Sequence, residues 1–197
     1  LALDLGANAD CKPEYLLQFA WMGSTYSHRV MGIKSPRVGL LNIGTEEGKG
    51  NSLVNQAHEL LEKSEGLNFV GNVEPGSIFA GDVDVVVCDG FVGNMMLKSA
   101  EAISEFILKR MKQAATTNAR AKLGGLMLRP SLRSLKQDIS HSDHGGAILL
   151  GLKGIVIKCH GRADRETVCN GIKAAEQALE SDVLGRIGEN LSSGVEA

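Results

Sequence analysis

Residues 85–94 read Val-Val-Val-Cys-Asp-Gly-Phe-Val-Gly-Asn, an apolar run that stops at a glycine-rich turn. Val85, Val86, Val87 and Cys88 show no polar alternation, the pattern of a strand buried on both faces, as strands of a parallel sheet are. From Asn94 the period changes to three and four residues. Met96, Ala100, Ile103, Ile107 and Met111 predict a helix with one apolar stripe turned to a core. Strand, Asp-Gly-x-x-Gly-Asn turn and helix start together present backbone N–H groups at the carboxyl edge of a sheet, where open α/β folds bind ligands. Asp89, Gly90, Gly93 and Asn94 are therefore candidate lining of an active site.

A second stretch has the same construction. Val38 to Ile43 is apolar apart from Gly39 and Asn42, and it runs into Gly44-Thr45-Glu46-Glu47-Gly48-Lys49-Gly50-Asn51. Leu53, Ala57, Leu60 and Leu61 predict a helix behind it, capped by Asn51 or Ser52. Three glycines around Lys49 suit an anion, because the backbone can approach closely while the ammonium supplies a point charge. No Gly-Lys-Ser/Thr is present, so a Walker A nucleotide loop is not indicated. A solvated loop lysine explains the local sequence equally well.

The chain has 197 residues, 43% hydrophobic and 22% charged, with a formal net charge of −2, which suits one globular α/β domain over residues 1–197. It begins Leu-Ala-Leu-Asp-Leu without an initiator methionine, which reads as a fragment or a processed product. No apolar run approaches the roughly 18 residues of a membrane span, and no signal peptide is recognisable, so a cytoplasmic protein is expected. Cys11, Cys88, Cys159 and Cys169 contain no Cys-x-x-Cys pair and read as free thiols, with Cys88 and Cys159 buried in strands.

Strand and helix patterns alternate from end to end. Leu1 to Leu5 predicts a strand; a helix follows near Pro13 with a stripe of Leu16, Ala20, Gly23, Ser27 and Val30, whose small members imply close packing. Further strands are expected near Leu67 to Val70, Val83 to Cys88, Ala147 to Leu150 and Ile155 to Cys159, with a turn at Pro75-Gly76. A last helix carries Val168, Ile172, Ala175 and Leu179 on one face. Such alternation argues for a layered α/β fold.

Seven ordered motifs carry a resemblance: Asp4-Leu5-Gly6-Ala7-Asn8; Cys11-Lys12-Pro13-Glu14; Met22-Gly23-Ser24; Asn42-Ile43-Gly44 with Lys49-Gly50-Asn51; Asp89 to Asn94; Gly145-Gly146-Ala147; and Ile157-Lys158-Cys159-His160-Gly161. In this order they resemble the bacterial phosphate acyltransferases of the PlsX family, over the later and larger part of that family's chain. The resemblance implies a three-layer α/β/α fold, shared with phosphate acetyltransferases and isocitrate/isopropylmalate dehydrogenases, and a homodimer. It also implies an acyltransferase of fatty acid and phospholipid metabolism that moves an acyl group from acyl-ACP to inorganic phosphate without a cofactor. The family's site motifs fall on Lys49, to hold phosphate or offset negative charge, and on Asn94, to donate to the carbonyl oxygen. Asn8, Asn42, Gly44, Gly50, Asn51, Asp89, Gly90, Gly93 and His160 are expected to line the substrate site. A helix cap would explain Asn94 as well, and a structural histidine would explain His160.

Two other functions compete. The chain would act as an inactive dimerising or membrane-binding module if a lobe it needs is absent, or as a dehydrogenase of related fold. The second lacks support, because no two aspartates stand four residues apart to chelate a divalent cation. His141 and His144 are three apart but lack an obvious further ligand, so no metal site is assigned.

Charge is uneven. Between Phe106 and Gln137 stand eight basic residues and no acidic one, leaving 13 basic against 23 acidic residues elsewhere. Leu123, Leu126, Met127, Leu128, Leu132 and Leu135 gather around Gly124-Gly125 and Pro130, which reads as the apolar tip of a helical hairpin over about residues 94–140. A basic segment with an apolar tip suits an anionic membrane surface, reached through Leu126, Met127 and Leu128, or acyl carrier protein; leucines packed on a second subunit are the alternative. Nucleic acid is not expected, since the segment offers no aromatic after Phe106 to stack on bases.

Overall fold

The computed structural model describes residues 1–139, 146–159, 161 and 163–194. Among them the order is β1 (Ala2–Leu3), α1 (Pro13–Arg29), β2 (Val38–Leu41), α2 (Ser52–Glu62), β3 (Phe69–Val73), α3 (Pro75–Ala80), β4 (Val85–Val87), α4 (Gly90–Ala114), α5 (Ala119–Ile139), β5 (Ala147–Ile148), β6 (Ile157–Lys158), α6 (Arg165–Glu180) and α7 (Val183–Gly194). The fold is α/β, of the three-layer α/β/α class. It forms two compact units, one of Leu1–Met95, Ile148–Val156 and Ala175–Ala197, the other of Met96–Ala147 and Ile157–Ala174.

The first unit is built on a four-stranded sheet of order β1-β4-β2-β3, in which every neighbouring pair is parallel. Val85, Val86 and Val87 are all buried, as an inner parallel strand requires. Register is set at the amino edge by Arg37. Its backbone N–H and Nε donate to Asp84 Oδ2 at 2.8 and 3.0 Å, and its Nη2 donates to Asp84 Oδ1 at 3.1 Å, which aligns Val38 with Val85. That guanidinium holds the Asp84 carboxyl below the usual carboxylate range. Between β2 and β3 the register shifts by one residue, and Gly71 on β3 has φ +91°, the left-handed conformation that an extra, unpaired residue takes most readily when it is glycine.

Leu16, Phe19, Ala20 and Met22 of α1 pack with Ala57 and Leu61 of α2, Val183 and Ile187 of α7, and Val38, Leu40, Val85 and Val87 of the sheet. The small residues of α1 do what its stripe predicts. A Cβ on Gly23 would lie 2.6 Å from Val85 Cγ1 and 3.0 Å from Leu3 Cδ1, so helix and sheet meet at a distance only glycine allows.

In the second unit α4, from Met96, is joined to α5 by a turn at 115–118. Thr116 and Thr117 hydroxyls donate back to carbonyls of the last turn of α4, and Asn118 Oδ1 caps α5 by accepting from Ala121 N at 2.9 Å. The helices therefore meet at Thr116–Asn118, and Gly124, Gly125 and Pro130 lie inside α5.

Four expectations need correction. Pro75-Gly76 opens the short helix α3 instead of forming an isolated turn, because proline suits a first helical turn. The helix expected from Asn94 begins at Gly90. Its stripe is not turned to a core: Ile103 and Ile107 are 58% and 50% exposed. On α6 the expected face is also the exposed one, with Val168, Ile172 and Leu179 open to solvent while Thr167, Gly171 and Ala178 are buried. Periodicity reports that a helix has an apolar stripe, but not which surface covers it. His141, His144 and His160 lie outside the described residues, and so does the expectation about zinc.

Candidate active site

Because the sheet is parallel, the loops that leave β1, β2 and β4 emerge at one edge. The loop after β1 is organised by one buried carboxylate. Asp4 Oδ1 accepts from Gly6 N and Ala7 N, both at 2.8 Å, and Oδ2 accepts from Asn8 N at 2.7 Å and Asn8 Nδ2 at 2.9 Å. Burial pushes the Asp4 carboxyl up, but the bonds from Ala7, the Asn8 side chain, Gly6 and Asn8 N outweigh it and hold it below the usual range. Asn8 is thus engaged in shaping the loop.

That loop rests directly on the start of α4. Gly90 N donates to Asn8 O at 2.8 Å, and Cys88 Sγ lies 3.5 Å from Asp4 O. Asp89 Oδ1 accepts from Val92 N at 2.8 Å, so Asp89 is the helix cap. Asn94 sits one turn further on, and its amide has no hydrogen-bond partner among the described residues. A Cβ on Gly6 would lie 3.3 Å from Asn94 Cβ, so the loop's glycine backs onto this exposed side chain. The cap of α4 is therefore Asp89 and not Asn94.

β2 adjoins β4, and its loop carries Lys49. Buried Asn42 clamps that loop: its Nδ2 donates to Lys49 O at 3.0 Å, its Oδ1 accepts from Ile43 N at 2.8 Å, and Gly50, at φ +90°, leaves no room for a Cβ beside that oxygen. Asn51 Oδ1 caps α2 by accepting from Val54 N at 3.0 Å. Asn42 and Asn51 are accordingly committed to the backbone, while the Lys49 stem runs past buried Gly44, where a Cβ would lie 3.4 Å from its Cγ. Asn72 was missed by sequence reasoning. It is buried in β3, and its Nδ2 donates to Glu46 O at 3.1 Å, holding the same loop, while its Oδ1 has no partner among the described residues. An asparagine inside a strand was the available signal.

Two thiols lie by the edge, and burial disfavours the thiolate of each. Burial, with the Asp89 and Asp4 carboxylates adding to it, pushes the Cys88 thiol up to about 12; burial also raises Cys11. The edge thus presents an exposed lysine, an exposed asparagine and glycine-lined backbone.

A parallel α/β sheet with glycine-rich loops at its carboxyl edge is of the open α/β class, and that edge is where such folds bind small ligands. The chain belongs to the family described as "Fatty acid synthesis protein", whose model matches residues 1–186. It is 47% identical over 192 residues to a "Phosphate acyltransferase" of Synechocystis sp., covering 98% of this chain and 55% of that protein. It is 48% identical over 191 residues to one of Clostridium acetobutylicum, covering 97% and 57%, and 45% identical over 192 residues to one of Thermodesulfovibrio yellowstonii, covering 98% and 55%. The chain spans about half the length of the curated relatives it matches.

Proposed function

We propose that the protein transfers a fatty acyl group from acyl carrier protein to inorganic phosphate, giving acyl phosphate for phospholipid synthesis. The observation that carries this reading is the edge itself: Lys49 and Asn94, whose amide has no partner among the described residues, follow adjacent strands, and burial disfavours the thiolates of the neighbouring cysteines. A phosphate oxygen attacks the thioester carbonyl carbon, the C–O bond forms, and the C–S bond breaks to release the carrier thiolate, which then takes up a proton. Phosphate is already an oxyanion, so the protein must position it and stabilise charge on the carbonyl oxygen and the sulfur. Lys49 holds phosphate; Asn94 donates to the carbonyl oxygen; Asp4, Asn42 and Asn72 hold the two loops in place. In the protein at its natural length, acyl-ACP and phosphate are expected to yield acyl phosphate with no acyl-enzyme, and Cys88→Ala is expected to keep turnover. A covalent acyl-thioester on Cys88 or Cys11, trapped and seen by mass spectrometry, would overturn this route.

The same reading extends to the surface of α4 and α5, as a homodimer that meets a membrane. Leu126, Met127 and Leu128 are 63%, 76% and 58% exposed, beside exposed Arg120, Lys122 and Arg129. An anionic surface attracts each nearby cation by about 1 kcal/mol before screening, and each buried methylene adds about 0.8 kcal/mol. The chain is therefore expected to sediment with anionic and not zwitterionic vesicles, less so in moderate salt, and Leu126→Glu with Leu128→Glu is expected to abolish binding with the fold intact. No binding at low salt, with these leucines covered in a dimer, would assign them to the subunit contact. Among the described residues no helix is long and apolar enough to cross a membrane.

A further inference from the structure

At the amino edge of the first unit's sheet, the end opposite Lys49 and Asn94, lies a cleft of about 360 Å³. The last turns of α1, the segment before β2, the residues before β3 and α7 form its walls. Arg29, Lys34, Arg186 and His28 line it together with Trp21 and Asn68, and among the described residues no carboxylate does. Arg186 is partly offset, since its Nη1 donates to Glu189 Oε2 at 2.8 Å. Arg29 and Lys34 have no such counter-ion among the described residues. Arg29, in the last turn of α1, gains from the helix dipole, but that field fades beyond the terminal turn and does not account for Lys34.

Cations gathered around one concavity repel each other, and the low-dielectric walls focus their field, so the arrangement is relieved by a bound anion. The walls are tied together by hydrogen bonds between neutral groups. Asn68 Nδ2 donates to Ser35 O and Ser35 Oγ, both at 3.1 Å, which fixes the segment bearing Lys34. Trp21 Nε1 donates to Ser64 Oγ at 3.1 Å, and Asn190 Nδ2 donates to Thr25 Oγ1 at 2.9 Å, which sets the indole and ties α7 to α1. Two guanidinium groups and an ammonium are the charged donors that suit a phosphate group. The volume falls in the range of small-molecule sites, roughly 300–1,000 Å³.

We propose that this cleft is a second binding site, for the phosphate group of a small phosphorylated molecule up to about the size of a nucleoside monophosphate. Arg29, Lys34 and Arg186 receive the phosphate, and Trp21 supplies the aromatic surface for the remainder of the ligand. Trp21 is the single tryptophan of the chain, so its fluorescence reports on the cleft.

The test titrates the purified chain with AMP and with inorganic phosphate at constant ionic strength, followed by Trp21 fluorescence and calorimetry. Saturable binding is expected, weakened at least about tenfold by Arg29→Ala with Lys34→Ala, as when two charge-assisted contacts are removed. It is expected to persist in Lys49→Ala, which separates this site from the candidate active site. Saturation by both ligands assigns the phosphate group as the recognised feature; saturation by AMP alone assigns a phosphate ester with its base against Trp21. No saturation by either ligand, or saturation unmoved by the double variant while its melting temperature stays that of the parent, would overturn the proposal.

Discussion

Lys49→Ala is expected to lower acyl-phosphate formation about 10²-fold or more, and Asn94→Ala to do the same, the loss seen when one charge-stabilising donor is removed from an oxyanion site. Neither side chain has a structural task that would confuse the result. Lys49 is exposed on a loop held by Asn42 and Asn72, whose bonds reach the backbone at Lys49 O and Glu46 O and survive the substitution. Asn94 lies inside α4, where the cap is Asp89, and alanine is the better helix former by up to about 0.7 kcal/mol. Melting temperatures are therefore expected to hold while turnover falls. Near-normal turnover of either variant at saturating phosphate would return that residue to the solvated surface.

Gly93→Ala is expected to cost the fold more than about 3 kcal/mol, the upper range for forcing a methyl group into a packed site. The new Cβ would overlap the Asp4 carbonyl oxygen and approach Cys88 Sγ to 3.0 Å. The oxygen cannot retreat, because the Asp4 carboxylate already binds three successive backbone N–H groups of its own loop. Gly90 is placed similarly, with a Cβ 2.6 Å from Asn8 O. Domains of this size are stable by roughly 5–15 kcal/mol, so the loss would be plain in a urea unfolding curve. Gly76→Ala on α3 is the control, since nothing lies within 4 Å of its Cβ and its stability should hardly change. A Gly93→Ala protein as stable as the parent would mean that the β1 loop can lift off α4.

Legibility followed the range of the interaction. The buried strand at Val85–Val87, the α1 stripe through Gly23, the Asn51 cap and the glycine loop around Lys49 are all encoded within a few neighbouring residues, and each lies where the pattern puts it. α6 shows the limit: its branched residues Val168, Ile172 and Leu179 give the stronger period, but Thr167, Gly171 and Ala178 face inward. Small side chains permit close approach and so choose the face, and that choice depends on a neighbour distant in sequence.

By itself the sequence determined the alternating α/β elements, the parallel character of the sheet and the glycine-rich loops at strand ends, because two-residue and 3.6-residue periods and turn chemistry are local properties. Only the tertiary structure decided what the polar residues of those loops do. Asp4, Asn42 and Asn72 spend their side chains on backbone groups one to 26 residues away, whereas the Asn94 amide has no partner among the described residues. Tertiary structure also brought Arg29, Lys34 and Arg186, more than 150 residues apart at the extremes, around one cleft. Hydrogen-bond satisfaction and the meeting of distant charges are settled by chain topology, which local sequence does not carry.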